Sequence, residues 1–196
     1  MPNEIILIIF EGEKTEKGLF KNIEDQFFNR TGRRASSNTL LLISAKQNIY
    51  MLWETLKKDE FQTDIVEVLR ESDEKAAELL MHYSRDDISQ TYLFFDYDIQ
   101  HLKKDKDEER YKAIPQMLQV FSDETELGKL YINYPMVEAL RDIDETESCE
   151  VHCIIDYDDL QNYKESVGKV TAFSDVKKYK FLTWKKFCRH AVRRAD

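Results

Sequence analysis

Five carboxylates carry the pattern in this chain that could do chemistry: Glu11, Glu16, Asp96, Asp98 and Glu138. Glu11 and Glu16 flank Gly12 and Thr15 directly after an apolar run, IILIIF at 5–10. Asp96 and Asp98 follow a second apolar run, QTYLFF at 90–95. Residues i and i+2 of an extended chain point the same way, so this pair can face one site. Glu138 lies just beyond a third run, LGKLYIN at 127–133. Acids brought together repel: two like charges ~4 Å apart in an effective dielectric of about 20 cost about 4 kcal/mol. A divalent cation relieves that cost, and all-oxygen donors suit magnesium or manganese. Taken alone, the Glu11 segment reads more readily as a surface acid in a strand–helix loop.

The elements that must position these acids are legible from periodicity. The run at 5–10 is apolar throughout and mostly β-branched, which predicts a strand buried on both faces. Gly12 permits a tight turn, and Thr15 is the expected N-cap of a helix over 15–29, with Leu19, Phe20, Ile23 and Phe27 inward. A second strand is expected at 39–44 and a helix at 47–59, whose stripe is Ile49, Leu52, Trp53 and Leu56. Residues 64–69 read as either a strand or a helix start. Ser72 is the expected cap of a helix reaching Tyr83. After the strand at 90–95, a helix with Met117, Leu118 and Phe121 inward ends near Asp123. Pro135 suits the first turn of a helix following the strand at 127–133. Residues 150–155 are a shorter apolar piece followed by a polar helix.

Strands alternating with helices predict an α/β fold: a largely parallel four-stranded sheet flanked by helices, with a C-terminal helical appendage. The expected division is an α/β domain over 1–145 and a strand/helix extension over 146–196 packed on it. Parallel strands share one carboxyl edge, where open α/β sheets place their ligands. That edge would gather Glu11, Asp96, Asp98 and Glu138, with Glu16 one turn into the first helix.

Composition narrows the classes. The chain has 196 residues, 42% hydrophobic, with 5 glycines and 3 prolines, which suits one domain with a proper core and no long flexible linker. Its net charge of −9 does not, taken whole, attract a phosphate backbone. Action on nucleic acid would need a local basic surface, a metal or a partner. The three cysteines, Cys149, Cys153 and Cys188, form no disulfide framework, so a reduced, cytoplasmic setting is expected. No membrane span is expected, and residues 1–4 lack the basic start of a secretion signal. Cys149, His152 and Cys153 lack a nearby fourth zinc ligand.

Two basic stretches stand out. Arg30, Arg33 and Arg34 close the first helix, either as a solvated end that suits the helix dipole or as a phosphate contact. From Ala172 onward eight basic residues meet only Asp175 and Asp196, a local charge of +6 that leaves −15 on the remainder. Tyr179, Phe181, Leu182, Trp184, Phe187 and Val192 interleave with them. That pattern describes an amphipathic terminal helix, or a nucleic-acid surface built on Lys177, Lys178, Lys185, Lys186 and Arg189. The mixed charges at 103–110 form a solvated segment.

Glu-Gly-x-x-Thr-Glu at 11–16 after a first strand, followed by Asp-x-Asp at 96–98 after a later one, resembles the Toprim domain. That domain is shared by type IA and type II topoisomerases, bacterial primases, and OLD-type and RloB-like nucleases. Asn133 to Glu138 is similar to the Asn-Pro-x-x-Glu segment of the small RloB-like proteins, with Tyr134 inserted between Asn and Pro. The resemblance spans about 11 to 138. It implies a Mg2+- (or Mn2+-) dependent nuclease of bacterial anti-phage defence, often paired with an ATPase. Glu11, Asp96 and Asp98 match the catalytic acids, which also hold metal together with Glu16 and Glu138. OLD-type nucleases use a lysine near the site; Lys169, Lys177 and Lys180 are placed for it by position only. No nucleotide-binding glycine loop is present, so an ATPase would sit on a separate chain.

Three functions fit these residues: a Toprim nuclease acting on DNA or RNA, a non-catalytic binding or regulatory subunit of the same fold, and a phosphoryl or nucleotidyl transferase. Intact Glu11, Asp96 and Asp98 favour the first over the second, and the missing nucleotide loop disfavours the third. Homo-oligomerisation stays open.

Overall fold

The computed structural model describes residues 4–29, 38–97, 107–143, 160–167 and 173–195. Five strands form one sheet in the order β2-β1-β3-β5-β4. They are β1 (Ile5–Phe10), β2 (Thr39–Ser44), β3 (Gln90–Asp96), β4 (Ser122–Asp123) and β5 (Gly128–Asn133). β1 pairs in parallel with β2 on one side and β3 on the other, and β3 pairs in parallel with β5. The fifth strand is the short β4, antiparallel to β5. The expected helix ending near Asp123 instead stops at Val120, and the chain turns back on itself. Asp123 Oδ1 accepts from the Thr125 amide (2.8 Å) and hydroxyl (2.6 Å), which closes the turn and commits Ser122 and Asp123 to pairing.

Two-sided burial of β1 is realised by strict alternation. Leu7 and Ile9 join Leu41, Ile43, Leu93, Phe95 and Leu130 in one core. Helices α2 (Ile49–Lys57), α3 (Ile65–Ser72) and α4 (Glu74–Leu80), and Met117 of α5 (Asp107–Val120), complete that core. Ile6, Ile8 and Phe10 face the other way, against Leu19 and Phe20 of α1 (Thr15–Ile23). Phe173, Val176, Tyr179, Trp184 and Phe187 belong to this second core, so the terminal segment packs on the same sheet face as α1. The stripe Ile49, Leu52, Trp53 and Leu56 is buried as expected. Residues 64–69 resolve as helix because Asp64 caps α3 through the Val66 amide, 2.7 Å away.

Several local expectations are corrected. Ser72 ends α3, and Asp73 caps α4 by accepting from the Ala76 amide at 3.1 Å. Thr15 does not cap α1: its hydroxyl donates to Glu138, and Lys14 takes the cap position without a side-chain bond. Leu118 is 43% exposed, whereas Met117 beside it on α5 is buried. Pro135 stands before a 3-10 segment, Val137–Asp142, and is not in its first turn. The terminal stretch forms a short helix α6 (Leu160–Ser166) and a long one, α7 (Phe181–Ala195). The apolar piece at 150–155, the arginines 30, 33 and 34, and residues 101–106 lie outside the described residues. No helix among the described residues is long and apolar enough to cross a membrane.

Candidate functional site

The carboxyl ends of β1 and β3 carry the first two acids side by side. The amide of Asp96 donates to Glu11 Oε2 across the two strand ends, at 3.4 Å. Asp96 is held firmly: its Oδ1 accepts from Asn133 Nδ2 at 3.0 Å and from the Val137 amide at 2.9 Å. The second of these bonds starts the 3-10 segment at Val137 and so fixes the next residue, Glu138, beside Asp96. The Asp96 carboxyl is pushed up from 3.8 to about 6, chiefly by burial. Its bond from Asn133 lowers it, the charge of Glu16 raises it, the Val137 amide lowers it, and Glu138 raises it. Two acids distant in sequence are therefore close enough to oppose ionisation of a third.

Glu16 is buried, and its Oε1 accepts from the Gly12 amide at 3.0 Å, closing the turn between β1 and α1. A Cβ on residue 12 would stand 2.7 Å from Glu16 Oε2, so glycine is needed there for close approach. Glu138 is only 1% exposed. Its Oε1 accepts from Thr15 Oγ1 at 3.3 Å and lies 3.0 Å from Lys164 Nζ. Its Oε2 is buried with no hydrogen-bond partner among the described residues. Leaving a buried polar atom unsatisfied costs about 1–3 kcal/mol, and more where it is charged.

The structure thus brings Glu11, Glu16, Asp96 and Glu138 to one region, linked through Asp96. Asp98 lies outside the described residues. The donors suit a hard cation in three respects: all are oxygens, their mutual repulsion shows in Asp96, and Glu138 Oε2 awaits a partner. Among the described residues, however, no three acids, histidines or cysteines are gathered tightly enough to cage an ion as they stand. Cys149, His152 and Cys153 lie outside the described residues, and Cys188 is exposed.

Lys164 was not singled out by sequence. Nothing in the spacing ties position 164, in a polar helix, to position 138; only the fold brings α6 to the acid rim. Of the positional candidates, Lys169 is outside the described residues, Lys177 lays its stem against Gly18, and Lys180 is exposed ahead of α7. Thr15 and Asn133 are further residues whose role appears only in three dimensions.

The terminal basic residues Lys177, Lys178, Lys185, Lys186 and Arg189 are all exposed. Beneath them Tyr179, Trp184 and Phe187 are buried, Trp184 donating to Asn22 Oδ1 at 2.7 Å. Lys178 pairs with Asp175 at 2.9 Å, and Lys185 sits over the Phe181 ring, 5.3 Å from its centroid.

Comparisons with protein-family models, with curated proteins and with solved structures find no match to this chain.

Proposed function

We propose that this chain is a Mg2+- or Mn2+-dependent nuclease of the Toprim type, hydrolysing phosphodiester bonds of DNA or RNA. The carrying observation is the Asp96 carboxyl, raised to about 6 with Glu16 and Glu138 among the causes and with Glu11 on its amide. Such a cluster is costly without a cation and useful with one. In this reading Glu11, Glu16, Asp96, Asp98 and Glu138 hold the metal, Asp98 on sequence grounds. The bound ion would polarise the scissile phosphate and make water a nucleophile near neutral pH.

The chain's own residues have separable tasks. Asn133 and the Val137 amide both end on Asp96 Oδ1, which orients the carboxyl and leaves Oδ2 for a ligand. Gly12 and Glu16 fix the loop that carries Glu11. Thr15 and Lys164 hold Glu138 Oε1, so that Oε2 faces no competitor. Lys164, 66% exposed, pairs with Glu138 through one face of its ammonium and turns the rest to solvent, where it can also meet a phosphate oxygen. The wider reading takes a cytoplasmic setting from cysteine usage, and bacterial anti-phage defence beside an ATPase on another chain from family resemblance.

A second reading, a binding or regulatory subunit of the same fold, is favoured by the loose spacing of the acids among the described residues. The deciding experiment is a cleavage assay on DNA and RNA pools with Mg2+, Mn2+ or chelator, using wild type and Glu11→Gln. Metal-dependent cleavage lost in Glu11→Gln supports the enzyme. Failure of the wild type to cut either pool under any condition favours the subunit.

A further inference from the structure

A cavity of about 300 Å³ opens beside the acid rim, between the start of α1 and the outer face of α4. Its floor is apolar, formed by Leu42, Ala76 and Leu79, the last 51% exposed. Its lining carries four lysines, Lys14, Lys17, Lys46 and Lys75, against two acids, Glu13 and Asp73. Both acids pair directly with Lys46: its Nζ lies 2.5 Å from Asp73 Oδ1 and 3.6 Å from Glu13 Oε1. Lys14, Lys17 and Lys75 are exposed, and among the described residues none has a carboxylate within ion-pair distance. Lys75 adds its charge to that of Lys46 in holding the Asp73 carboxyl low, so two acids face four lysines on one cleft in a chain of net charge −9.

The cleft continues to the acids. A second, more open cavity of about 570 Å³ shares Glu13 and Lys46 with the first and is lined by Glu11 and Gly12. Its far wall is Met51, 57% exposed. Lys46 is the post between the two, with its backbone at φ 52° and its amide donating to Ser44 Oγ at 3.3 Å. Ser44 Oγ in turn donates to the Glu11 carbonyl at 3.1 Å. A path of cations over apolar floor, ending at carboxylates, matches a strand whose phosphates need charge and whose sugars and bases need apolar cover.

We propose that this cleft binds the phosphodiester backbone of a nucleic-acid strand on Lys14, Lys17 and Lys75 and leads it to Glu11. The direction of the path rests on reading the rim as the cleaving site; the binding itself does not. The C-terminal basic residues are the weaker choice, because Lys178 is paired with Asp175, Lys177 covers Gly18 and Lys185 covers Phe181.

The test uses the full chain in chelator, with fluorescein-labelled oligothymidylate and oligouridylate as probes over a range of salt. Lys14→Gln/Lys17→Gln/Lys75→Gln should weaken binding by roughly tenfold or more. It should also flatten the slope of log affinity against log salt by about 2, near 0.7 for each lost contact to a single strand. The Lys→Arg triple should bind as wild type does, and Lys185→Gln/Lys186→Gln/Arg189→Gln should keep the wild-type slope. An unchanged slope in the cleft triple overturns the proposal, as does no binding by wild type. Thymidine monophosphate binding as tightly as the oligomer overturns it too, in favour of a small-molecule pocket. Loss of binding in the cleft triple, with no metal-dependent cleavage by wild type, would uphold the cleft and sink the nuclease reading. Cleavage by wild type with an unaffected cleft triple would do the reverse.

Discussion

Glu16 folds back so that its carboxylate oxygen meets the amide of Gly12 at 3.0 Å, in space that any side chain on residue 12 would occupy. Gly12→Ala therefore sets a methyl group against the end of a flexible side chain. The fold can yield at a cost of about 1 kcal/mol. The site cannot yield as cheaply, since a displacement of about 1 Å in a positioned group can cost about 100-fold in rate. On the nuclease reading, near-wild-type thermal melting with cleavage reduced about 100-fold is expected. Full activity in Gly12→Ala would show that Glu16 has no part in the chemistry.

Asp96 makes stability depend on pH in an uncommon direction. Its folded value, about 6, lies above the ordinary 3.8, so the folded chain keeps a proton that the unfolded chain has released. The favourable contribution is fully present below about pH 4 and is lost as pH rises through about 6. Denaturant melts in chelator should show stability falling between those limits by about 2 kcal/mol after allowance for partial exposure. Asp96→Asn should flatten that fall, and Mg2+ should offset it in the wild type by favouring the ionised form. A wild-type profile no steeper than that of Asp96→Asn would remove Asp96 as the cause.

The sheet was legible because burial on two faces leaves a plain signature. The unbroken, mostly β-branched apolar run at 5–10 reads as an inner strand, and β1 does pair on both sides. Helix stripes such as Ile49, Leu52, Trp53 and Leu56 were equally plain. What escaped was decided by contacts between distant residues. Thr15 looked like a cap, yet its hydroxyl serves Glu138, 123 positions away. Ser72 looked like a cap, yet Asp73 next to it has the stronger acceptor and also a lysine partner. The strand-end acids could be foreseen from topology alone, whereas Lys164 and the lysine cleft needed the packing of α6 and α4. Tertiary contacts outrank local preference at these positions because each adds a bond that the isolated segment could not make.

Trp184 is the peg that fixes α7 to α1. Its indole donates to Asn22 Oδ1, and its ring packs edge-on against Tyr179 and Phe187 at 5.0 and 5.7 Å. Asn22 also donates to the carbonyls of Lys177 and Tyr179, so one side chain ties three points of the terminal segment. Trp184→Ala should cost about 3–5 kcal/mol by removing a buried aromatic. Trp184→Phe, which keeps much of the ring packing, should cost about 1–2 kcal/mol from the lost hydrogen bond. Equilibrium unfolding in urea separates the two. Equal, small losses would mean that α7 contributes little to the stability of the sheet domain.

Glu138 and Lys164 give the most direct test of whether the rim is built for a cation. Glu138 is almost wholly buried, and Lys164, two-thirds exposed, supplies the positive charge near its Oε1. Among the described residues, Lys164→Ala leaves the carboxylate with Thr15 alone, while Oε2 remains unsatisfied. A fully buried pair would lose about 3–5 kcal/mol when broken, but solvent around the lysine reduces this to about 1–2 kcal/mol. If the rim accepts Mg2+, the ion replaces the lost charge, and Lys164→Ala should gain more thermal stability from Mg2+ than wild type does. Glu138→Gln removes the need for either charge, so its gain from Mg2+ should be smaller than that of wild type. Equal gains in all three proteins would mean that the cation, if bound, does not touch Glu138, and the metal set would then have to be drawn without it.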